Sequence, residues 1–129
     1  MKIYLAGGMH SGWQDDVIAR YPDIEFLDPR SHGLTDVREY TREDMNMIKK
    51  CDAIIAYLEK DNPGGFQMAF EIGYFVGLHD PHTCLVYFVD EKQRYTGMLR
   101  VQSSLTFDSM AQLYRHIDIV RETVWRESV

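Results

Sequence analysis

The sequence predicts an α/β fold: a doubly wound, mainly parallel five-stranded sheet with helices on both faces, forming one domain over residues 1–129. Three observations lead to it. Short apolar runs alternate along the chain with segments of helical spacing, which implies right-handed βαβ units. A chain of 129 residues is long enough to bury a core and too short for two domains. Its composition, 45% apolar and 26% charged, is that of a globular protein.

The run KIYLAGG predicts a buried strand over residues 2–6 that turns sharply at its glycines. After the loop GMHSG, residues 13–20 read as a short helix, and IEFLDP reads as a second strand stopped by Pro29. Residues 36–50 carry Val37, Tyr40, Met45 and Ile48 with charges between them, a helical pattern, and the β-branched run AIIAY after them is the third strand. LEKDNPGG is a loop by its turn residues. Residues 66–78 are apolar on nearly every side and too long for a strand, so they predict a buried helix. TCLVYFV then reads as a strand, DEKQRYTGMLR as a polar loop and SLTF as a short fifth strand. Residues 108–126 show Met110, Leu113, Tyr114, Ile117, Val120 and Val124 at helical spacing, an amphipathic helix covering the sheet. In such sheets ligands bind beyond the carboxyl ends of the strands, near the switch in strand order. That rule selects the loops after Ala6, after Asp28 and after Tyr57.

A net charge of −6 argues against a nucleic-acid polymer as partner, since such proteins need Lys and Arg to displace counterions from phosphate. Small substrates fit better. No apolar run approaches the roughly 18 residues of a membrane span, and IYLAGG after Lys2 lacks the pattern of a secretory signal, so a cytoplasmic protein is expected. Cys51 and Cys84 are too few for a disulfide framework and lack metal-ligand spacing, and reduced, half-buried thiols are expected. His79 and His82 flank a turn without making a metal motif, and the serines have no nucleophile-elbow context. Neither a metal nor a cofactor is expected.

Glu71 draws the eye. It is the only formally charged residue between Asp61 and Asp80, set among Met68, Phe70, Ile72, Tyr74, Phe75 and Val76. Losing hydration there raises a carboxylate's pKa and costs several kcal/mol by order of magnitude unless neighbours compensate, so a functional site about two turns from a Gly-rich loop is the better account. Gly73 and Gly77, in the same helix, would let another backbone or a ligand come close. Asp44 lies in TREDMNMIKKCD, where Thr41 and Asp44 have capping-box spacing, so a helix-end role and a site role both stand. Tyr4 in mid-strand is by default a core aromatic with a satisfied hydroxyl. The loop GGMHSG is like a phosphate-cradling turn but is not G-x-G-x-x-G.

Together, KIYLAGG, EDMNMIKKCDAIIAYL and FEIGYFVG resemble the nucleoside 2-deoxyribosyltransferase family and its relatives the 2-deoxynucleoside 5-phosphate N-hydrolases, over roughly residues 1–90. The most specific part is the order of Tyr in the first strand, two aspartates eight apart before the third, and Glu-Ile-Gly-Tyr in the next helix. The resemblance implies a flavodoxin- or Rossmann-like fold and cleavage of the N-glycosidic bond of a (deoxy)nucleoside or its 5-monophosphate, with the sugar passing to another base or to water. It implies that Glu71 is the nucleophile, that Asp44 assists departure of the base and binds the sugar, that Tyr4 orients Glu71, and that Asp52 is structural. Substrate contacts are implied for Gly7, Gly8, Met9 and Trp13 after the first strand and for Asp28 and Arg30 after the second. Gly64, Gly65 and Met68 complete that set ahead of Glu71. It further implies a homo-oligomer in which a neighbour helps close the site. Six residues before the nucleophile the transferase branch carries Asp and the hydrolase branch Ser; here the residue is Gly65. The transferases borrow an Asn-containing segment from a neighbouring subunit, and DEKQRYTGMLR has no Asn. A second resemblance, to phosphoribohydrolases of the cytokinin-activating type, rests on PGGFQMAFE against P-G-G-x-G-T-x-x-E, with Gln67 and Met68 where Gly-Thr would seat phosphate. A nucleotide-binding module without turnover is the alternative from outside the enzymes.

Overall fold

The structure is a computed structural model and describes residues 1–61, 65–79 and 85–125. Five parallel strands run β1 (Lys2–Gly7), β2 (Glu25–Leu27), β3 (Ala53–Leu58), β4 (Leu85–Asp90) and β5 (Leu105–Phe107), in the spatial order β2-β1-β3-β4-β5. Every pairing is parallel, so the expected mainly parallel sheet is wholly so. The order reverses at β1 and β3, which places the ligand edge at the carboxyl ends of those two strands.

Five α-helices lie among the described residues: α1 (Trp13–Arg20), α2 (Val37–Lys50), α3 (Gly65–Leu78), α4 (Gly97–Gln102) and α5 (Met110–Val120). The alternation of side chains along β1 divides the core into two. Tyr4 and Ala6 face a cluster with Ile48 of α2 and Met68, Ile72 and Phe75 of α3. Ile3 and Leu5 face Trp13 and Val17 of α1 and Leu113 and Ile117 of α5. Both faces of the central strands are therefore dry, which explains their continuous apolar sequences. Asp52 joins β1 to the turn before β3: its carboxylate accepts from the Lys2 amide at 2.8 Å and its own amide donates to the Lys2 carbonyl at 2.8 Å. Cys51 is buried, its thiol donating to the Ile48 carbonyl, and burial pushes that thiol up to about 12. Cys84 lies outside the described residues, as do residues 83–84 of the expected fourth strand.

Three departures from the sequence reading have local causes. Part of DEKQRYTGMLR is helical rather than loop: α4 starts at Gly97, and its turn and a half is too short to show a period. Asp90, fully buried at the end of β4, fixes the turn before it by accepting from the amides of Lys92 and Gln93, the Thr96 hydroxyl at 2.6 Å and Arg100 Nε at 3.0 Å. After Asp28 the chain enters a 3-10 turn over Pro29–His32, with Asp28 accepting from the Arg30 amide. The last helix is α-helical only over Met110–Val120 and widens to a π turn over Arg121–Trp125.

Candidate active site

In a parallel α/β sheet the helices run antiparallel to the strands, so α2 and α3 both begin at the carboxyl edge of the sheet. They lie side by side over β1 and β3, and a cavity of about 250 Å³ opens between them. Val37, Tyr40, Thr41, Asp44, Met45 and Ile48 of α2 line one wall; Phe66, Gln67, Phe70 and Glu71 of α3 line the other. These positions follow the three- and four-residue spacing of a single helix face. From the mouth inward, α2 passes from exposed Val37 to fully buried Ile48, and α3 from Phe66, 93% exposed, to the half-buried Glu71.

Glu71 meets the sheet at its inner end. The phenol of Tyr4, fully buried in the middle of β1, donates a hydrogen bond to Glu71 Oε2. Burial raises the Glu71 carboxyl to about 7; the Tyr4 hydroxyl opposes the rise and the nearby Asp44 charge adds to it. Burial and the Glu71 charge push the Tyr4 phenol far above its ordinary range, so it stays a donor. Asp44 is raised as well, chiefly by burial, against a pull downward from His32.

His32 was not legible as a site residue. Its Nε2 lies 2.8 Å from Asp44 Oδ1, while its Nδ1 accepts from the Leu34 amide at 3.0 Å. A backbone N–H can only donate, so Nδ1 is the acceptor and Nε2 carries the proton toward Asp44. The 3-10 turn that delivers His32 is held by Asp28 and Arg30: the guanidinium grips the Asp28 carboxylate at 2.7 Å and reaches Asp15 of α1 at 2.7 Å. Asp28 and Arg30 are thus spent on each other and on the turn. No local sequence signal connects residue 32 to residue 44; only the docking of that turn on α2 does.

The capping alternative for Asp44 falls, because α2 begins at Val37 under Asp36, whose side chain accepts from the Glu39 amide. Asp44 is two turns inside the helix and faces the cavity. Of the other expected contacts, none of those described lines this cavity. Gly7 has φ +152°, and a Cβ there would stand 2.6 Å from the Tyr57 carbonyl and 3.0 Å from the Trp13 ring, so only glycine fits. Gly8 turns its carbonyl under α1 to accept from Trp13 Nε1 at 3.0 Å and Gln14 Nε2 at 2.9 Å. Trp13 packs edge-on against Tyr57 in the core on the opposite face of the sheet, and Met9 stands half exposed at the edge. Met68 is buried under α3 against the sheet. Gly65 directs its missing side chain toward Leu58, 3.1 Å away. Gly64 lies outside the described residues. Gly73 and Gly77 do not admit a close neighbour within the described structure: a Cβ at either meets nothing within 4 Å. The ring of His79 packs on Phe75, and His82 is outside the described residues.

A half-buried glutamate thus meets a tyrosine of the first strand and faces an aspartate of the preceding helix across the cavity. The family model for nucleoside 2-deoxyribosyltransferases matches residues 3–110. The chain belongs to this family. Its members cleave and transfer the N-glycosidic bond of (deoxy)nucleosides or nucleotides. Among solved structures, this family member is similar to the 2-deoxyribosyltransferase of Leishmania mexicana, with 22% identity over 90% of this chain and 95% of that one, at a TM-score of 0.63. It is also similar to the 2-deoxyribosyltransferase of Bacillus psychrosaccharolyticus, with 18% identity over 88% and 90% of the two chains and a TM-score of 0.68. The CMP N-glycosidase of Clostridium botulinum matches with 17% identity over 92% and 99%, at a TM-score of 0.62. At these identities the likeness is one of fold. No curated protein sequence matches the chain. Among the described residues no helix is long and apolar enough to cross a membrane.

Proposed function

We propose that this protein cleaves the N-glycosidic bond of a (deoxy)nucleoside or its 5-monophosphate through a covalent glycosyl–Glu71 intermediate, passing the sugar to another base or to water. The observation that carries the reading is that Asp44 and Glu71 line one cavity from opposite walls while the buried Tyr4 hydroxyl bonds Glu71 from the sheet beneath. A Glu71 oxygen bonds to the anomeric carbon as the carbon–nitrogen bond breaks, and the electron pair leaves with the base. The Asp44–His32 pair, raised by burial at its carboxyl end, supplies the proton that the departing base takes up. Water or a second base then attacks the anomeric carbon from the opposite face, losing its proton to the Asp44–His32 pair; the ester bond breaks, Glu71 is released as carboxylate, and the configuration is retained. Tyr4 keeps enough of Glu71 ionised near neutrality for the first step.

The test is base release, followed by chromatography, from deoxynucleosides, ribonucleosides and their monophosphates, with and without a free acceptor base. Release without acceptor marks a hydrolase, and release only with acceptor a transferase. Wild-type release by Glu71→Gln would remove the nucleophile assignment. Activity should rise with pH through about 7 as Glu71 ionises.

The working form proposed is a homo-oligomer. What supports it is the exposed apolar surface of Phe66 and Phe70 on α3, which line the cavity, and of Met98 and Val101 on α4, which packs against α3. Light scattering after gel filtration tests it, and a monomer at working concentration would exclude it.

A further inference from the structure

We infer that Gln67 reads the hydroxyl face of the sugar and sets the preference between substrates that carry those hydroxyls and substrates that lack them; this rests on the reading of Glu71 as nucleophile. Gln67 stands four residues before Glu71, on the same face of α3, and both line the cavity. Side chains at that spacing are neighbours, with Cβ atoms about 5–6 Å apart. The chemistry of displacement fixes what lies beside Glu71. A carboxylate that displaces a base must approach the anomeric carbon from the face opposite the base. In a β-nucleoside that is the face on which the 2′- and 3′-hydroxyls stand. A group one helical turn from Glu71 on the same wall therefore meets these hydroxyls, not the base.

Gln67 suits the task. Its amide offers both donors and an acceptor to a hydroxyl, which is both itself. The other polar lining side chains, Tyr40, Thr41 and Asp44, come from the opposite wall. The remaining α3 lining, Phe66 and Phe70, is aromatic and cannot accept or donate so. Gly65 brings nothing to the cavity, since its side-chain position points at Leu58. Gln67 is exposed at the first turn of the helix, outside both core clusters, so replacing it leaves packing intact.

The experiment compares Gln67→Leu with wild type in base release from a nucleoside and from its 2′-deoxy, 3′-deoxy and 2′,3′-dideoxy counterparts, with Glu71→Gln as control. Losing a hydrogen bond to a desolvated hydroxyl is expected to lower kcat/KM for hydroxyl-bearing substrates by about 5- to 30-fold and to leave the dideoxy compound within about twofold of wild type. The single-deoxy compounds then tell which hydroxyl is read. An equal loss on every substrate, or unchanged discrimination, overturns the inference while leaving the nucleophile reading intact. Wild-type activity in Glu71→Gln, or no base release by wild type from any substrate, overturns that reading and this inference with it.

Discussion

Glu71→Gln should make the protein more stable while abolishing turnover, and only above a definite pH. Burial carries the Glu71 carboxyl from an ordinary 4.5 to about 7 even with the Tyr4 hydroxyl holding it down. The folded chain therefore binds this proton more tightly than the unfolded chain does. Stability then falls as pH rises from about 4.5 through about 7, and levels off above that. At about 1.4 kcal/mol for each tenfold in proton affinity, ionising Glu71 costs the fold about 3 kcal/mol. Glutamine has nearly the same shape, keeps an oxygen for the Tyr4 hydroxyl, and never ionises. Urea unfolding of both proteins from about pH 4 to about pH 9 should show stabilities that nearly coincide at the acid end and separate by about 3 kcal/mol at the alkaline end, roughly 10 °C in Tm for a domain of this size. The other titrating groups are common to both proteins and cancel, apart from Asp44, whose charge acts on Glu71. An offset that does not vary with pH, or a wild type that is the more stable at pH 8, would refute the account of Glu71 as a desolvated carboxylate.

His32→Gln removes the Nε2–H that faces Asp44, so the Asp44 carboxyl should rise further; base release should fall by about 10- to 100-fold with its alkaline limb displaced, read from the pH profile of kcat/KM. Asp90→Asn leaves the partly exposed Arg100 facing a neutral amide, and should lower stability by about 1–2 kcal/mol by thermal melting. Burial alone would push Asp90 up, but the Thr96 hydroxyl, the Gln93 amide and Arg100 together bring it below its ordinary value. Its stabilisation is thus present above the unfolded value of 3.8 and fades as pH falls through the folded one, so wild-type and Asp90→Asn melts should converge in strong acid. Gly7→Ala combines a left-handed φ with a Cβ 2.6 Å from the Tyr57 carbonyl, and should destabilise by more than about 2 kcal/mol in the same assay.

What the sequence made legible was whatever a local pattern decides. The buried strands are continuous apolar runs because both faces are covered, and α3 stood out because its apolar residues surround it. Glu71 was conspicuous for the same reason: one charge among apolar neighbours has to be explained by something outside its own helix. That something is Tyr4, at a separation of 67 residues, and spacing alone could not supply the pairing. His32 was invisible because its partner is reached through a 3-10 turn that depends on Arg30 gripping Asp28 and Asp15. The same ion pairs explain why Asp28 and Arg30 do not line the cavity although their loop sits at the ligand edge. Trp13 follows α1 to the far side of the sheet, a choice made by which helix crosses which face and not by the residue's chemistry. Helix α4 escaped because six residues, none of them fully buried, carry no period.

The instability assigned to Glu71 bears on how the proposed reaction would be driven. Among the described residues the carboxylate is stabilised by one phenol and little else, and at neutral pH it is close to half protonated. A neutral nucleoside filling the 250 Å³ between α2 and α3 would strip more water from it and favour the protonated form still further. Ground-state binding is then not where the charge gains. The gain comes as the carbon–nitrogen bond stretches and positive charge grows on the sugar within reach of Glu71, replacing the lost hydration by an ion pair formed in a weakly polar space. Tyr4 decides how much of the enzyme stands ready for that step, and the surrounding apolar walls decide how strongly the charge is welcomed. The two act in opposite directions on the same proton. A carboxylate held near 7 is the compromise between them, ionised often enough to attack and solvated too poorly to prefer staying as it is.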